Sequence, residues 1–490
     1  MSGKFYEKFE KKPSHKKSSK EGRTNQHISQ NNSESKIEKK ADGAKSHKNE
    51  CRSPAGSFSG KTGKPAHNKS PDKIITPCQR LFETDKLTKE TENILQNFDE
   101  IVQGVRPLNS KQLQQLPDNI KALSHQLTDK RSERRLGYMN DNVQLSSYVR
   151  YYTWWNLVRL TRLFSNMPSE SFPHKDGICI DLGTGPLTVV NALWLARPEL
   201  RKLKLTWYCL DVSANSMVLG EDIFMSIAAR TVADENNQEN EPWNIIRVKG
   251  SFGTSIKQKA DFITCANMFN ELDQAGDMPP EYQSKKYFEQ LKNYGSNDCK
   301  YLLIEPGVPK ATRTITLLRD RFIAAGKKIA APCPHHEECP MNGFKAYTGS
   351  QNKWCNFCFS TENAPGKLLK LSETAKLPKE RATLIFVSAV PKNSQQDNST
   401  ITCRITSDPF KLPEYKIGYY GCSRFGLTLI KTTGKIEKVE NKKGKKQQGL
   451  EKNFIIKGPL ASGDLIQVKI KAPDFNLKTD EKSGAVIIEL

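Results

Sequence analysis

The chain has 490 residues and a formal charge of +22 at neutral pH, from 76 Lys and Arg against 54 Asp and Glu. This length allows two or three domains with their own cores, and the charge points to a polyanionic partner, nucleic acid first, because solubility needs far less. The chain has no apolar run of about 18 residues, and its start, M-S-G-K-F-Y-E-K-F-E, lacks the apolar core of a secretory signal. Neither a membrane partner nor export by that route is expected.

Lysine instead of arginine near the start, with Glu7 and Glu10, is unlike a mitochondrial presequence. The reading is therefore a cytoplasmic monomer, with the mitochondrial matrix as the alternative location. Twelve cysteines in such a chain point to reduced thiols or metal ligation instead of a disulfide framework.

Residues 1–75 carry 18 Lys and Arg against 8 Asp and Glu, a net +10, and almost no aliphatic residues. Such a segment cannot bury enough to fold alone, so it reads as a disordered basic arm that lies down on RNA, or as a plain solubilising tail. Over 76–170 apolar residues such as Leu87, Ile94, Leu95, Phe98 and Ile101 recur at helical spacing and predict a helical domain. Its last helix carries Tyr148, Tyr152, Trp155 and Val158 on one face and Arg150, Arg159 and Arg162 elsewhere on its surface. The aromatic stripe reads as core, with an RNA-stacking platform as the alternative. Arg131, Arg134 and Arg135, just upstream, are better candidates for RNA contact, or else an ordinary solvated face.

Over 171–395 strands alternate with helices: I-C-I-D-L, L-T-W-Y-C-L-D, I-I-R-V-K-G, D-F-I-T-C-A-N and Y-L-L-I-E-P-G. This alternation predicts an α/β, Rossmann-like, doubly wound parallel sheet. The strand T-L-I-F-V-S-A-V completes it after a cysteine-rich insertion at 331–365. Residues 396–490 hold short strands broken by a lysine-rich loop around Lys442 to Lys446, and read as a small β-barrel-like module, OB in type.

The segment I-C-I-D-L-G-T-G-P ends an apolar strand on Asp181 and turns through Gly183 and Gly185 into a helix. Glycines there let the backbone bend and approach a ligand closely. Thr188 occupies the third position of a dinucleotide fingerprint, which disfavours a nicotinamide cofactor. D-L-G-x-G instead resembles the first motif of class I methyltransferases, whose loop surrounds the amino-acid part of S-adenosylmethionine. Asp211 ends the second strand, where a carboxylate can accept hydrogen bonds from both ribose hydroxyls. Gly250 and Ser251 follow the third strand near the adenine position, and Asn267 follows the fourth near the methyl-donor end. A-N-M-F-N-E-L is neither the Asn/Asp-Pro-Pro-aromatic motif nor a Pro-Cys nucleophile, so no catalytic residue is assigned; Glu271 and Glu305 are candidate bases or structural carboxylates. Cys265 reads as a core thiol. Leu187, in place of a glycine frequent in class I methyltransferases, is expected to narrow the pocket.

Cys333 and Cys339 in A-P-C-P-H-H-E-E-C-P, and Cys355 and Cys358 in W-C-N-F-C, form a contiguous set that suits zinc, with His335 or His336 as substitutes; Cys422 follows later. Taken with Y-M-N-D, Y-V-R-Y-Y-T-W-W-N, D-L-G-T-G-P, A-N-M-F-N-E-L, L-I-E-P-G, C-P-H-x3-C-P and W-C-x-F, the chain from Tyr138 to Cys422 resembles the methyltransferase-like assembly-factor family of the small ribosomal subunit, which has bacterial and mitochondrial members. The resemblance implies a 4Fe-4S cluster on Cys333, Cys339, Cys355 and Cys422, with Cys358 an extra thiol and zinc the alternative. It also implies rRNA and the small ribosomal subunit, or its precursor, as partners. Two functions follow as expectations: an S-adenosylmethionine-dependent rRNA methyltransferase, or a non-catalytic assembly factor stabilised by its cluster.

Overall fold

A computed structural model of the chain describes residues 76–128, 137–231, 241–272, 278–344, 353–392, 400–438, 454–469 and 477–490. The basic arm of 1–75, Arg131, Arg134, Arg135 and the loop from Lys442 to Lys446 lie outside the described residues.

Five α-helices precede the sheet: α1 (Lys89–Gln96), α2 (Phe98–Val105), α3 (Ser110–Thr128), α4 (Asn142–Ser147) and α5 (Trp154–Asn166). Local chemistry sets their starts. The Thr88 hydroxyl accepts from the Thr91 N–H ahead of α1, and the Asp141 carboxylate accepts from the Gln144 N–H ahead of α4. One π-helical turn, Tyr148–Thr153, joins α4 to α5.

Helix α5 and the π-helical turn before it are buried on almost every side, so the three arginines expected at the surface, Arg150 in the turn and Arg159 and Arg162 in α5, lie inside. Buried guanidiniums need acceptors, and each finds them. Arg150 donates to Arg106 O and Gln103 Oε1, Arg159 to Thr383 O, and Arg162 to Asn363 O.

The α/β part follows as β1 (Gly177–Leu182), α6 (Thr188–Ala196), β2 (Leu205–Asp211), α7 (Ala214–Ala228), β3 (Asn244–Lys249), β4 (Ala260–Ala266), α8 (Phe269–Leu272), α9 (Pro280–Tyr294), β5 (Gly295–Pro306), α10 (Pro309–Ala324), β6 (Lys327–Ala331), β7 (Phe357–Ser360), α11 (Gly366–Thr374) and β8 (Arg381–Pro391). The sheet runs β3-β2-β1-β4-β5-β8-β6, with β7 also paired to β8. Its first five strands are parallel, as expected. The other end corrects the all-parallel reading, because β8 enters antiparallel between β5 and β6. Strand order reverses beside β1, between β2 and β4, where open α/β sheets place their ligand crevice.

The C-terminal strands are β9 (Thr400–Ile405), β10 (Phe410–Lys411), β11 (Ile417–Ser423), β12 (Gly426–Thr432), β13 (Lys435–Lys438), β14 (Phe454–Lys457), β15 (Leu465–Lys469) and β16 (Val486–Glu489). Six of them form one sheet, β15-β9-β11-β12-β16 with β10 on β11, curled into a half-barrel that is open between β15 and β16 among the described residues. The N-terminal helices and the large sheet share one hydrophobic core, which also takes in Cys422 of β11; a smaller core around Ile405, Tyr419 and Ile466 fills the half-barrel.

Candidate functional site

At the carboxyl end of β1 the backbone turns sharply. The N–H groups of Gly183 and Thr184 donate to Leu210 O at 2.9 and 3.1 Å, and Gly183 and Gly185 take φ values of +65° and +51°. A Cβ on Gly183 would stand 2.8 Å from the Met268 side chain, so the turn requires glycine. Asp211, at the tip of β2, is 7% exposed; its Oδ2 accepts from the Gly185 N–H at 2.9 Å and its Oδ1 from the Ser213 N–H at 2.8 Å. Burial raises this carboxyl above its ordinary range. The second strand's acid thus holds the first strand's loop.

These residues border a cleft whose wall includes Gly183, Gly185, Asp211, Ser251 and Asn267. Asp181 is placed differently from the sequence expectation. It is fully buried behind the wall, where its two oxygens accept from the hydroxyls of Thr184 and Thr264, each at 2.6 Å. It therefore fastens the loop and β4 from beneath. Leu187 does not narrow the cleft either. It sits in the left-handed region at φ 53° with its side chain buried in the core, away from the wall.

The opposite wall comes from the helical region: Tyr138, Met139, Tyr148, Asn156 and Leu160. Sequence reasoning missed these side chains as site residues, because the π-helical turn that aims Tyr148 has no signature in composition or spacing. Asn267 adopts φ 60°, a conformation asparagine tolerates, and its Oδ1 accepts from Arg159 at 3.3 Å. Glu305, at the end of β5, accepts from the N–H groups of Phe269 and Asn270 at 2.8 and 3.1 Å, and so pins the loop that carries Glu271 into the cleft.

Burial pushes the Glu305 carboxyl up to about 8, with Glu271 adding to the rise and Arg159 opposing it. Asp181 rises to about 7, again chiefly by burial, with Asp211 adding. Both acids therefore hold their proton more tightly folded than unfolded. The stability this contributes is complete below about pH 4, where the unfolded carboxyls are protonated, and is lost as pH rises through 7 to 8. The urea midpoint of unfolding is expected to fall across that window. Asp181→Asn, which cannot ionise, should show a shallower fall and exceed the native chain in stability above pH 8; parallel profiles for the two would show that Asp181 contributes none of the slope.

The cysteine insertion folds against both β sheets. Cys355 lies among the charges of Cys339 and Cys333, and Cys422 among those of Cys355, Cys333, Cys403 and Cys339; burial is the largest cause that raises both thiols. Cys358 points elsewhere, its Sγ accepting from Arg381 Nε at 2.8 Å. His336 Nε2 accepts from the Ile329 N–H at 3.2 Å, while the buried His335 leaves Nδ1 without a hydrogen-bond partner. Two buried guanidiniums flank the thiols. Arg319 donates to Cys333 Sγ at 3.2 Å, and Arg404 feels the charges of Cys422 and Cys333 while donating to Pro332 O, Gly463 O and Gln79 Oε1.

Among the described residues no three His, Cys, Asp or Glu side chains are arranged to hold a metal ion. A single tetrahedral zinc would require sulfurs about 3.8 Å apart, from its Zn–S bond of about 2.3 Å. Four soft thiols beside two buried cations are a donor set whose chemistry suits a thiolate-bound metal centre, since the guanidiniums offset thiolate charge.

Fold and cleft together define a class I methyltransferase-like protein. A family described as "Mitochondrial small ribosomal subunit Rsm22" matches residues 168–413, half of the chain. The chain belongs to the Rsm22 family of the mitochondrial small ribosomal subunit. No curated protein matches it.

Similar solved structures include ribosomal protein L11 methylase from Lactobacillus delbrueckii subsp. bulgaricus, 17% identical with TM-score 0.23 over 35% of this chain and 70% of that one. Precorrin-6y C5,15-methyltransferase from Geobacter metallireducens GS-15 is 10% identical with TM-score 0.27, over 53% and 95%. A SAM-dependent methyltransferase from Geobacter sulfurreducens, solved with S-adenosyl-L-homocysteine, is 9% identical with TM-score 0.26, over 49% and 91%. No helix of the described residues is long and apolar enough to cross a membrane.

Proposed function

We propose that this protein binds S-adenosylmethionine in the cleft and rRNA of the mitochondrial small subunit or its precursor, and acts in that subunit's assembly as a methyltransferase. The observation that carries the reading is the pairing of the glycine turn with Asp211 in one cleft wall. Asp211 would accept from the ribose hydroxyls, Gly183 and Gly185 would lie against the amino-acid part, and Ser251 would lie near the adenine. Bound there, the cofactor supplies a sulfonium methyl for in-line transfer. The protein's own share is alignment and exclusion of water: Asn267 and Glu271 border the acceptor end, and Glu305 acts on that loop as a positioning residue.

The 4Fe-4S reading rests on Cys333, Cys339, Cys355 and Cys422. It is supported by their shared charge environment, by Arg319 and Arg404, and by the engagement of Cys358 with Arg381. The cluster would tie the half-barrel to the large sheet. The family's description favours the mitochondrial matrix, the second of the two locations read from the sequence. The monomeric state is likewise a proposal.

A second reading, a non-catalytic assembly factor, draws on one observation. Tyr138, Met139 and Tyr148 cover the cleft from the helical side, and Glu305 spends both oxygens on backbone N–H groups. The test combines cofactor binding with transfer of labelled methyl to small-subunit rRNA. Transfer by the native chain, with affinity for cofactor lowered at least tenfold in Asp211→Ala, supports the enzyme. Tight binding without transfer selects the assembly factor, and absence of binding removes both.

A further inference from the structure

A second cleft, sharing no wall residue with the first, opens where the cysteine insertion, the end of the large sheet and the half-barrel meet. It is open to solvent along one side. Trp354 stands on one side, 38% exposed, with its indole N–H donated to Gly307 O at 3.1 Å, which fixes the ring's position. Tyr420 stands on the other, stacked on Phe410 at 4.8 Å, with the Lys353 ammonium 3.6 Å above its ring. Arg381 reaches the cleft half-exposed, its guanidinium held by Cys358 Sγ and by an ion pair with Asp408.

We propose that this cleft binds an unpaired nucleotide of RNA, its base against Trp354 and its phosphate on Lys353 and Arg381. The inference rests on the RNA-binding reading above and adds a specific place. A fixed aromatic face accepts any base, and neighbouring cations follow the backbone. The chain's +22 charge favours the same polyanion. A free nucleoside triphosphate would want a glycine loop or helix N-terminus, and the wall residues include no glycine and no helical residue. Because three parts of the chain build the cleft, RNA bound here would read whether they are assembled.

The chain offers its own probe. Of its six tryptophans, Trp154, Trp155, Trp194, Trp207 and Trp243 are at most 4% exposed, so Trp354 alone meets solvent. Anaerobically purified full-length protein is titrated with a short single-stranded RNA carrying an end label, following tryptophan emission and label anisotropy together. Single-stranded RNA should quench the emission, and its duplex should do so far less. Trp354→Phe should abolish the quench while nearly keeping affinity, because a ring remains to stack. Trp354→Ala and Arg381→Gln should each weaken binding about tenfold, with iron content and melting temperature matching the native chain.

RNA binding without quenching, and with native affinity in Trp354→Ala and Arg381→Gln, overturns the cleft and leaves the RNA reading standing. Failure of the native chain to bind any RNA overturns that reading too. Quenching by RNA-free small-subunit proteins, and not by RNA, assigns the cleft to a protein partner and also overturns the proposal.

Discussion

Replacing Gly220 with alanine is expected to weaken cofactor binding more than tenfold without touching a cofactor contact. Gly220 lies in α7 where that helix crosses the turn after β1, and a Cβ there would stand 2.4 Å from the Pro186 carbonyl carbon and 2.7 Å from its Cα and O. Backbone cannot yield as a flexible side chain does. Either α7 or the turn through Gly183 and Gly185 must move, and overpacking of this kind costs about 1–3 kcal/mol. The turn is the softer of the two, since α7 is anchored in the core by Ile223, Phe224 and Ile227. Calorimetric titration with S-adenosylhomocysteine should show more than a tenfold loss of affinity, with only a modest fall in melting temperature. Gly104→Ala, whose added methyl meets nothing within 4 Å, serves as the control. Native affinity in Gly220→Ala would mean that the glycine turn does not grip the cofactor.

Cys422→Ser should produce the second large change. Cys422 is on β11, between Arg404 of β9 and Leu427 of β12, and would be the half-barrel's ligand in the proposed cluster. When ligands come from two parts of a fold, binding energy of the metal group is also energy of docking. Native protein purified anaerobically should be brown, with iron and sulfide in equal amounts. Cys422→Ser should be colourless, melt several degrees lower and release the half-barrel to limited proteolysis, whereas Cys358→Ser should keep its iron. If Cys358→Ser loses the metal and Cys422→Ser retains it, the fourth ligand moves to the contiguous pair. Zinc without iron in the native chain would withdraw the cluster altogether.

Much of the cleft beside β1 is legible in the sequence because its parts are local. A strand that ends in an acid and turns through two glycines is a contiguous pattern, and Asp211, Ser251 and Asn267 sit at strand tips that alternation alone predicts. Asp181 was legible as important but not in its orientation. Side chains alternate along a strand, and only the packing of β1 between β2 and β4 turns it onto Thr184 and Thr264. The arginines of α5 misled for a related reason. Charge at the surface is a sound default, yet a helix enclosed by the sheet, α6 and α11 has no surface to offer, and its guanidiniums turn to carbonyls instead.

By itself, then, the sequence determined the alternation that yields the parallel strands, the glycine turn, the positions of the cysteines and the excess of positive charge, because each depends on residue type or on neighbours a few positions away. Tertiary structure alone decided that β8 runs antiparallel between β5 and β6, that Tyr148 enters the cleft wall, and that Cys422 lies within the electrostatic reach of Cys333, Cys339 and Cys355 while Cys358 accepts from Arg381. It also decided that Trp354 and Tyr420 share a cleft although 66 positions separate them, 420 − 354 = 66. The reason is common to all four. Direction of a strand, aim of a side chain and meeting of distant thiols depend on how the whole chain buries its apolar surface, and no local pattern encodes that sum.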